Sequence, residues 1–379
     1  MSPRRIPLAR PDFDHRELEA LREVLDSGWV VQGPRVQGFE QALAELHEAR
    51  HCIAVSSGTA ALHVAHMAMG IGPGDVVFIA SFAWPAAANV AMICGARPAF
   101  VDCLEGSYNI DPGDLRARIA ECRRSGRGRP RAVVPVHEFG LAADMQAVGA
   151  VAEEFGLEVI EDAACALAAT HKGKKVGGFG RAGTLSFHPR KAVTTGEGGA
   201  IVTDDDDLAE ACRIYRNHGQ GLVDGHRDFL APGLNYRMTE LAAAVGCTQL
   251  AKLPETLQAR KRIARRYLDG LTDCPRIRLP DDHPEHTWQT FMVVLEDALS
   301  RDEVVAKLAA GGIEAGPGAV SGHCARVYQE RLGYADADLP VSARLHHQGL
   351  ALPVWSTMTM EDVDYCVRSL REAAGGSTR

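Results

Sequence analysis

Lys191 stands in SFHPRKAVTTGEGG, after a short strand-like stretch and before a glycine-rich turn of the kind that lets backbone pack closely around a bound group. Most lysines are solvated charges. One held in a partly dry pocket can instead lose its proton and attack an aldehyde, which is what forming a Schiff base requires. Asp162, within thirty residues before it, ends a strongly apolar run in LEVIEDAA, where a charge is costly unless something pairs with it. A helix N-terminus, a metal ion, a nucleotide or a cationic ring nitrogen would each meet that need. The stretch Ser56-Ser57-Gly58-Thr59-Ala60 joins the apolar run HCIAV to a helical pattern, so backbone N–H groups and the helix dipole can converge there on a phosphate. The same residues also make ordinary strand-to-helix turns.

These residues need a scaffold, and the pattern from about residue 50 to 205 supplies one. Short apolar runs (HCIAVSS, VVFIA, ARPAFV, AVVPV, LEVIEDAA, GGAIVT) alternate with helix-period segments, the signature of a mostly parallel sheet flanked by helices. Gly70 and Gly156 are placed to stop helices, and Asp111-Pro112 reads as an N-cap followed by proline at the first helical position. Asp162 then falls at the carboxyl end of a strand, where open α/β sheets hold their ligands. From about Leu250 the pattern changes to a long charged helix and shorter elements. Residues 1–250 are therefore expected to form a large domain and 251–379 a smaller C-terminal α+β domain. The stretch RRSGRGRPR, Arg123 to Arg131, reads as a solvated loop.

Composition narrows the function. The 41 basic and 49 acidic residues give a net charge of −8, so no global positive field exists to hold nucleic acid or an anionic membrane. No stretch is apolar enough to span a bilayer, and the opening MSPRRIPLARPDF lacks the apolar core of a secretory signal. Ten cysteines are scattered without a C-x-x-C pair, which argues against a zinc ribbon or disulfide scaffold and for a reducing cytoplasm. No acidic or cysteine partner completes a metal site around His63 and His66, His283 and His286, or the pair His346-His347, so no metal is expected.

In sequence and spacing, SSGTAALH, SFAWPAAAN, VIEDAAC, SFHPRKAVTTGEGG, RNHG and LNYRMTE resemble the DegT/DnrJ/EryC1/StrS aminotransferases. HTWQTFMV, GIEAG, His323 through Tyr328 and LALPVWSTMTMEDVDY continue the resemblance over nearly the whole chain. It implies a fold-type I transferase dependent on pyridoxal 5'-phosphate, acting as a homodimer with shared active sites. The reaction implied moves an amino group from L-glutamate or L-glutamine to a ketone, either a keto-sugar, as a nucleotide-linked sugar, or a keto-cyclitol, in glycan or antibiotic biosynthesis. Carried over residue by residue, it makes Lys191 the Schiff-base lysine and proton carrier and sets Asp162 opposite the pyridine nitrogen. Trp84 matches the aromatic position that stacks on the ring; Ser57, Gly58, Thr59 and Ser186 match phosphate-binding positions. Asn235 matches a residue reaching the phosphate of the neighbouring subunit.

Three positions depart from the commoner family pattern. Cys165 stands where many members carry a glutamine beside the ring hydroxyl, Arg190 where a small or uncharged residue is usual, and Arg181 where aspartate is common. His188, Arg190 and His323 are candidate substrate contacts, and Glu138 and the loop from Gln220 to Pro232 are candidate discriminators of the acceptor. Two rival functions remain. Some relatives that dehydrate a keto-sugar replace the lysine with histidine, whereas Lys191 is present here. A non-catalytic regulatory relative would not need Lys191, Asp162 and Trp84 together.

Overall fold

The computed structural model describes residues 5–375. Seven strands form the central sheet: β1 (His51–Val55), β2 (Asp75–Ala80), β3 (Arg97–Val101), β4 (Arg129–Val134), β5 (Glu158–Asp162), β6 (Ala182–Ser186) and β7 (Gly199–Thr203), in the order β1-β7-β6-β5-β4-β2-β3. The neighbours from β6 to β3 run parallel. Only β7 is reversed, pairing antiparallel with both β1 and β6. All five residues of β7 and all six of β2 are buried, as strands covered on both faces must be.

Helices close both faces. One cluster joins Ile53, Val77 and Ile201 to helices Gly58–Ala68 and Ala86–Ile93; another sets Phe78 and Val133 against Leu115 and Ile119 of helix Pro112–Ser125 and Val148 of helix Met145–Phe155. The punctuation expected from sequence is present. The Asp111 side chain caps helix Pro112–Ser125 by accepting the Gly113 N–H, and Gly70 and Gly156 take the left-handed conformation, with φ of 66° and 67°.

The Arg123–Arg131 stretch is not one loop. Arg123 and Arg124 finish a helix, Gly126 caps it, and Arg129 opens β4 with its guanidinium 2.6 Å from the buried Asp75 carboxylate. Composition signalled weak burial in that window, but the carboxylate that claims Arg129 lies 54 residues away. A second core gathers Ile263 and Tyr267 of helix Leu253–Leu271 with Phe291, Val293, Leu350 and Leu370, around the antiparallel strands Ile277–Arg278, Phe291–Leu295 and Gly349–Leu352. Ile6 packs into this second core and bridges to Ile313.

Candidate active site

The carboxyl ends of the parallel strands and the start of the reversed β7 lie along one edge of the sheet. That edge opens into a cavity of about 430 Å3. After β1 comes Ser57, whose hydroxyl caps helix Gly58–Ala68 by accepting the Ala60 N–H at 3.0 Å. Gly58 and Gly199 permit the close approach: a Cβ on the first would sit 2.8 Å from Ser186 Cβ, and one on the second 2.4 Å from the Ser57 carbonyl oxygen. Ser57, Gly58 and Thr59 thus line the cavity at a helix N-terminus with Ser186 beside them, a site suited to an anion.

Lys191 and Asp162 line the same cavity. The Lys191 ammonium donates to Cys165 Sγ at 3.0 Å, and its backbone N–H is tied to the His188 carbonyl. Asp162 is buried, and its Oδ1 accepts the Ala164 N–H at 3.0 Å. Burial raises its carboxyl above the ordinary aspartate range, against the pull of that N–H, Lys191 and His137. Burial likewise pushes the Cys165 thiol up, so it stays neutral beside the amine. Glu138, also buried in this wall, is pushed up to about 8 by burial and then by the Asp162 charge, with Lys191 and the Phe139 N–H pulling it down.

The next residue along β5's axis behaves differently. Glu161 accepts from His137 Nε2 at 3.0 Å and from the backbone N–H groups of Gly177, Phe179 and Gly180 at 2.8, 2.6 and 2.7 Å. Burial alone would raise its pKa; the His137 and backbone hydrogen bonds outweigh that and hold it below the usual glutamate range. Side chains alternate across a strand, so Glu161 serves the far side of the sheet edge while Asp162 faces the cavity.

Of the residues expected from sequence, Ser57, Gly58, Thr59, Trp84, Asp162, Cys165, Ser186, His188, Arg190 and Lys191 come together at the cavity, as does Glu138. Trp84 does so while 70% exposed, which leaves its ring free of core packing. Arg190 has no carboxylate partner among the described residues; its carbonyl accepts Gln289 Nε2 at 3.1 Å. Asn235 is exposed and is not among the residues that line the cavity. Arg181 is also elsewhere, pairing with Asp205 and Glu158 at 2.9 and 3.2 Å. His323 is not brought to the cavity either. Backbone hydrogen bonds from Ala83 to Val320 and from Gly322 to Ser81 fasten its segment alongside residues 81–83, and its ring is buried with Nδ1 2.7 Å from Ser81 Oγ.

The remaining wall was not foreseen. Gln289 and Thr290 reach the cavity because the turn at Phe139 docks on the segment 287–290, with the Phe139 carbonyl accepting the Gln289 N–H at 2.8 Å and the Gly140 carbonyl the Thr287 N–H at 2.9 Å. Phe139 and Trp288 both hold positive φ, 57° and 53°, a cost of about 1–2 kcal/mol each that the surrounding contacts must sustain. The motif HTWQTFMV marked this segment, but nothing in its local spacing pointed at a pocket. Leu62, Ala86, Val136, Ala164, Glu197, Gly318 and Ala319 also line it.

The sequence model of the DegT/DnrJ/EryC1/StrS aminotransferase family matches residues 11–371. A DegT DnrJ EryC1 StrS aminotransferase from Brucella abortus superposes with a TM-score of 0.89 at 36% identity, over 95% of this chain and 96% of that one. DesV of S. venezuelae, solved in complex with a ketimine intermediate, gives 0.88 at 32% identity over 98% and 100%. Helicobacter pylori PseC, an aminotransferase involved in the biosynthesis of pseudoaminic acid, gives 0.91 at 26% identity over 98% and 100%.

Proposed function

Because the chain belongs to the DegT/DnrJ/EryC1/StrS aminotransferase family, whose members depend on pyridoxal phosphate, we propose that it moves an amino group from L-glutamate or L-glutamine to a nucleotide-linked keto-sugar. The observation that carries this reading is that the Lys191 amine and the Asp162 carboxylate face one cavity at the sheet edge. The residues present suit the cofactor. A helix N-terminus with Ser57, Thr59 and Ser186 suits a phosphate, and the glycine at 58 keeps that corner open. Asp162, desolvated and under-partnered, is stabilised by a cationic ring nitrogen. When bound, pyridoxal phosphate supplies an electron sink for the charge left on substrate carbon as a proton departs.

The chain's own groups do the rest. Lys191 would hold the cofactor through Nζ and, as a free amine in the same cavity, would carry the proton at substrate carbon. Asp162 would favour a protonated ring nitrogen, Trp84 would offer its exposed ring to the cofactor, and Cys165 rests against the Lys191 amine. The guanidinium of Arg190, without a carboxylate partner among the described residues, is available at the cavity to an anionic group of substrate, the donor carboxylate or an acceptor phosphate. Glu138 and Gln289 supply polar contacts for the acceptor.

A homodimer with shared sites is supported by Asn235, exposed beyond the hairpin Gln220–Val223 and His226–Phe229, where Leu222 and Phe229 present 69% and 68% of their surface to solvent. A division near residue 250 is supported by the second core, which also takes in Ile6 from the N-terminal segment, while Tyr328 and Leu339 pack into the first. Ten free cysteines support a reducing cytoplasm, and no described helix is long and apolar enough to cross a membrane. The test is a panel of keto-sugars and keto-cyclitols assayed with glutamate and glutamine as donors. Amination of a nucleotide-linked keto-sugar is expected; turnover of cyclitols alone would replace the acceptor, and dehydration without donor consumption would replace the reaction.

A further inference from the structure

Away from the cavity, three donor atoms of different kinds converge. Cys324 closes the turn Gly322–Cys324, Asp336 opens the turn Asp336–Asp338, and His347 lies in the last turn of helix Pro340–Gln348. A sulfur, a carboxylate oxygen and an imidazole nitrogen from these residues all lie within 4.8 Å of one another. His347 Nε2 is 3.0 Å from Asp336 Oδ2, and the Cys324 thiol hydrogen-bonds the same carboxylate. His323, fully buried, brings Nε2 to 3.4 Å from Cys324 Sγ, its other nitrogen fixed by Ser81.

We propose that Cys324, Asp336 and His347 form a divalent-metal site suited to zinc, with His323 Nε2 as the fourth ligand. A surface ion pair accounts for Asp336 and His347 alone, and such pairs contribute little. It does not account for a half-buried thiol within 4.8 Å of both groups, nor for the buried His323 Nε2 standing 3.4 Å from that thiol and 3.4 Å from the Asp336 carbonyl oxygen. Thiolate, imidazole and carboxylate together are a zinc donor set. Bond lengths of about 2.0–2.3 Å place tetrahedral donors roughly 3.4 Å apart. The present spacing therefore needs only small rotations, which the exposed Asp336 and His347 side chains can make. The Ser81–His323 hydrogen bond is the outer contact that aims a metal-bound imidazole.

A metal that binds there displaces the Cys324 thiol proton to solvent as the sulfur–metal bond forms. The ion would pin three separate segments together and, through His323 and Ser81, brace the residues that carry Trp84 into the cavity.

The experiment uses untagged, cofactor-loaded, full-length protein incubated with micromolar zinc, dialysed and analysed for zinc per chain, in wild type, Cys324→Ser and His347→Ala. His347 is exposed, so its variant folds even if the thiol variant does not. The proposal expects one zinc per wild-type chain, at least tenfold weaker retention in each folded variant, and a zinc-dependent rise in melting midpoint confined to wild type. A wild type that takes up no zinc, or a His347→Ala protein that keeps wild-type occupancy, overturns it.

Discussion

Glu161 and Asp162 are neighbours on one strand, both buried and both acidic, yet their surroundings are opposite. Four hydrogen bonds, one from His137 and three from backbone N–H groups, hold Glu161 ionised and lock the turn at Gly177–Gly180 to β5. Asp162 accepts the Ala164 N–H and otherwise faces the cavity across from Lys191, with its pKa raised by burial. A desolvated carboxylate whose lone pairs are filled is a building element. One left short of partners beside an amine is kept for something that binds. Glu138 stands further along the same scale, buried to the point of holding its proton near neutral pH.

Four substitutions break or sharpen this contrast. Lys191→Ala should abolish turnover while circular dichroism reports an intact fold, because its side chain belongs to the cavity and to no core cluster. Wild-type turnover would remove the lysine from the chemistry. Glu161→Ala, on the filled side, should cost about 3–5 kcal/mol of stability by leaving His137 and three N–H groups unpaired; a denaturation midpoint within error of wild type would mean that the network is not structural.

Asp162→Asn should do the reverse, with little change in midpoint and a rate lower by roughly 10- to 150-fold, the loss of a charge-assisted hydrogen bond of about 1.5–3 kcal/mol. An unchanged rate would assign the ring nitrogen to another acid. Glu138→Gln should be the mildest. Its carboxyl is raised in the folded state from 4.5 to about 8, so the protonated form contributes stability present below pH 4.5 and lost as pH rises through about 8. The glutamine variant should match wild type in acid and exceed it, by a few kcal/mol at most, above pH 8. Equal urea midpoints for the two apoproteins at pH 6 and pH 8.5 would show that the carboxyl is not desolvated.

Much of this was legible in the sequence because it is local. Ser57 capping a helix, Asp111-Pro112 opening one, Gly156 stopping one and Asp162 ending a strand depend on residues within a few positions, and each stands where the sequence put it. What escaped depends on long-range pairing. Gln289 enters the cavity because the turn at Phe139 receives its backbone, Arg129 leaves its apparent loop because Asp75 is buried beside it, and His323 turns away because Ser81 holds it. His346-His347 looked partnerless for the same reason, since Cys324 and Asp336 reach His347 only through the fold. The roles proposed for Trp84 and Asn235, which no spacing rule could have supplied, rest on the resemblance to a known family.

The central claim is that the Lys191 amine is the one that holds pyridoxal phosphate. Borohydride reduction of the cofactor-loaded protein, followed by proteolysis and mass spectrometry, reads this directly. A pyridoxyl group on the peptide containing Lys191, and on no other lysine, is the predicted result; the group on a different lysine, or none retained after denaturation, would contradict the account.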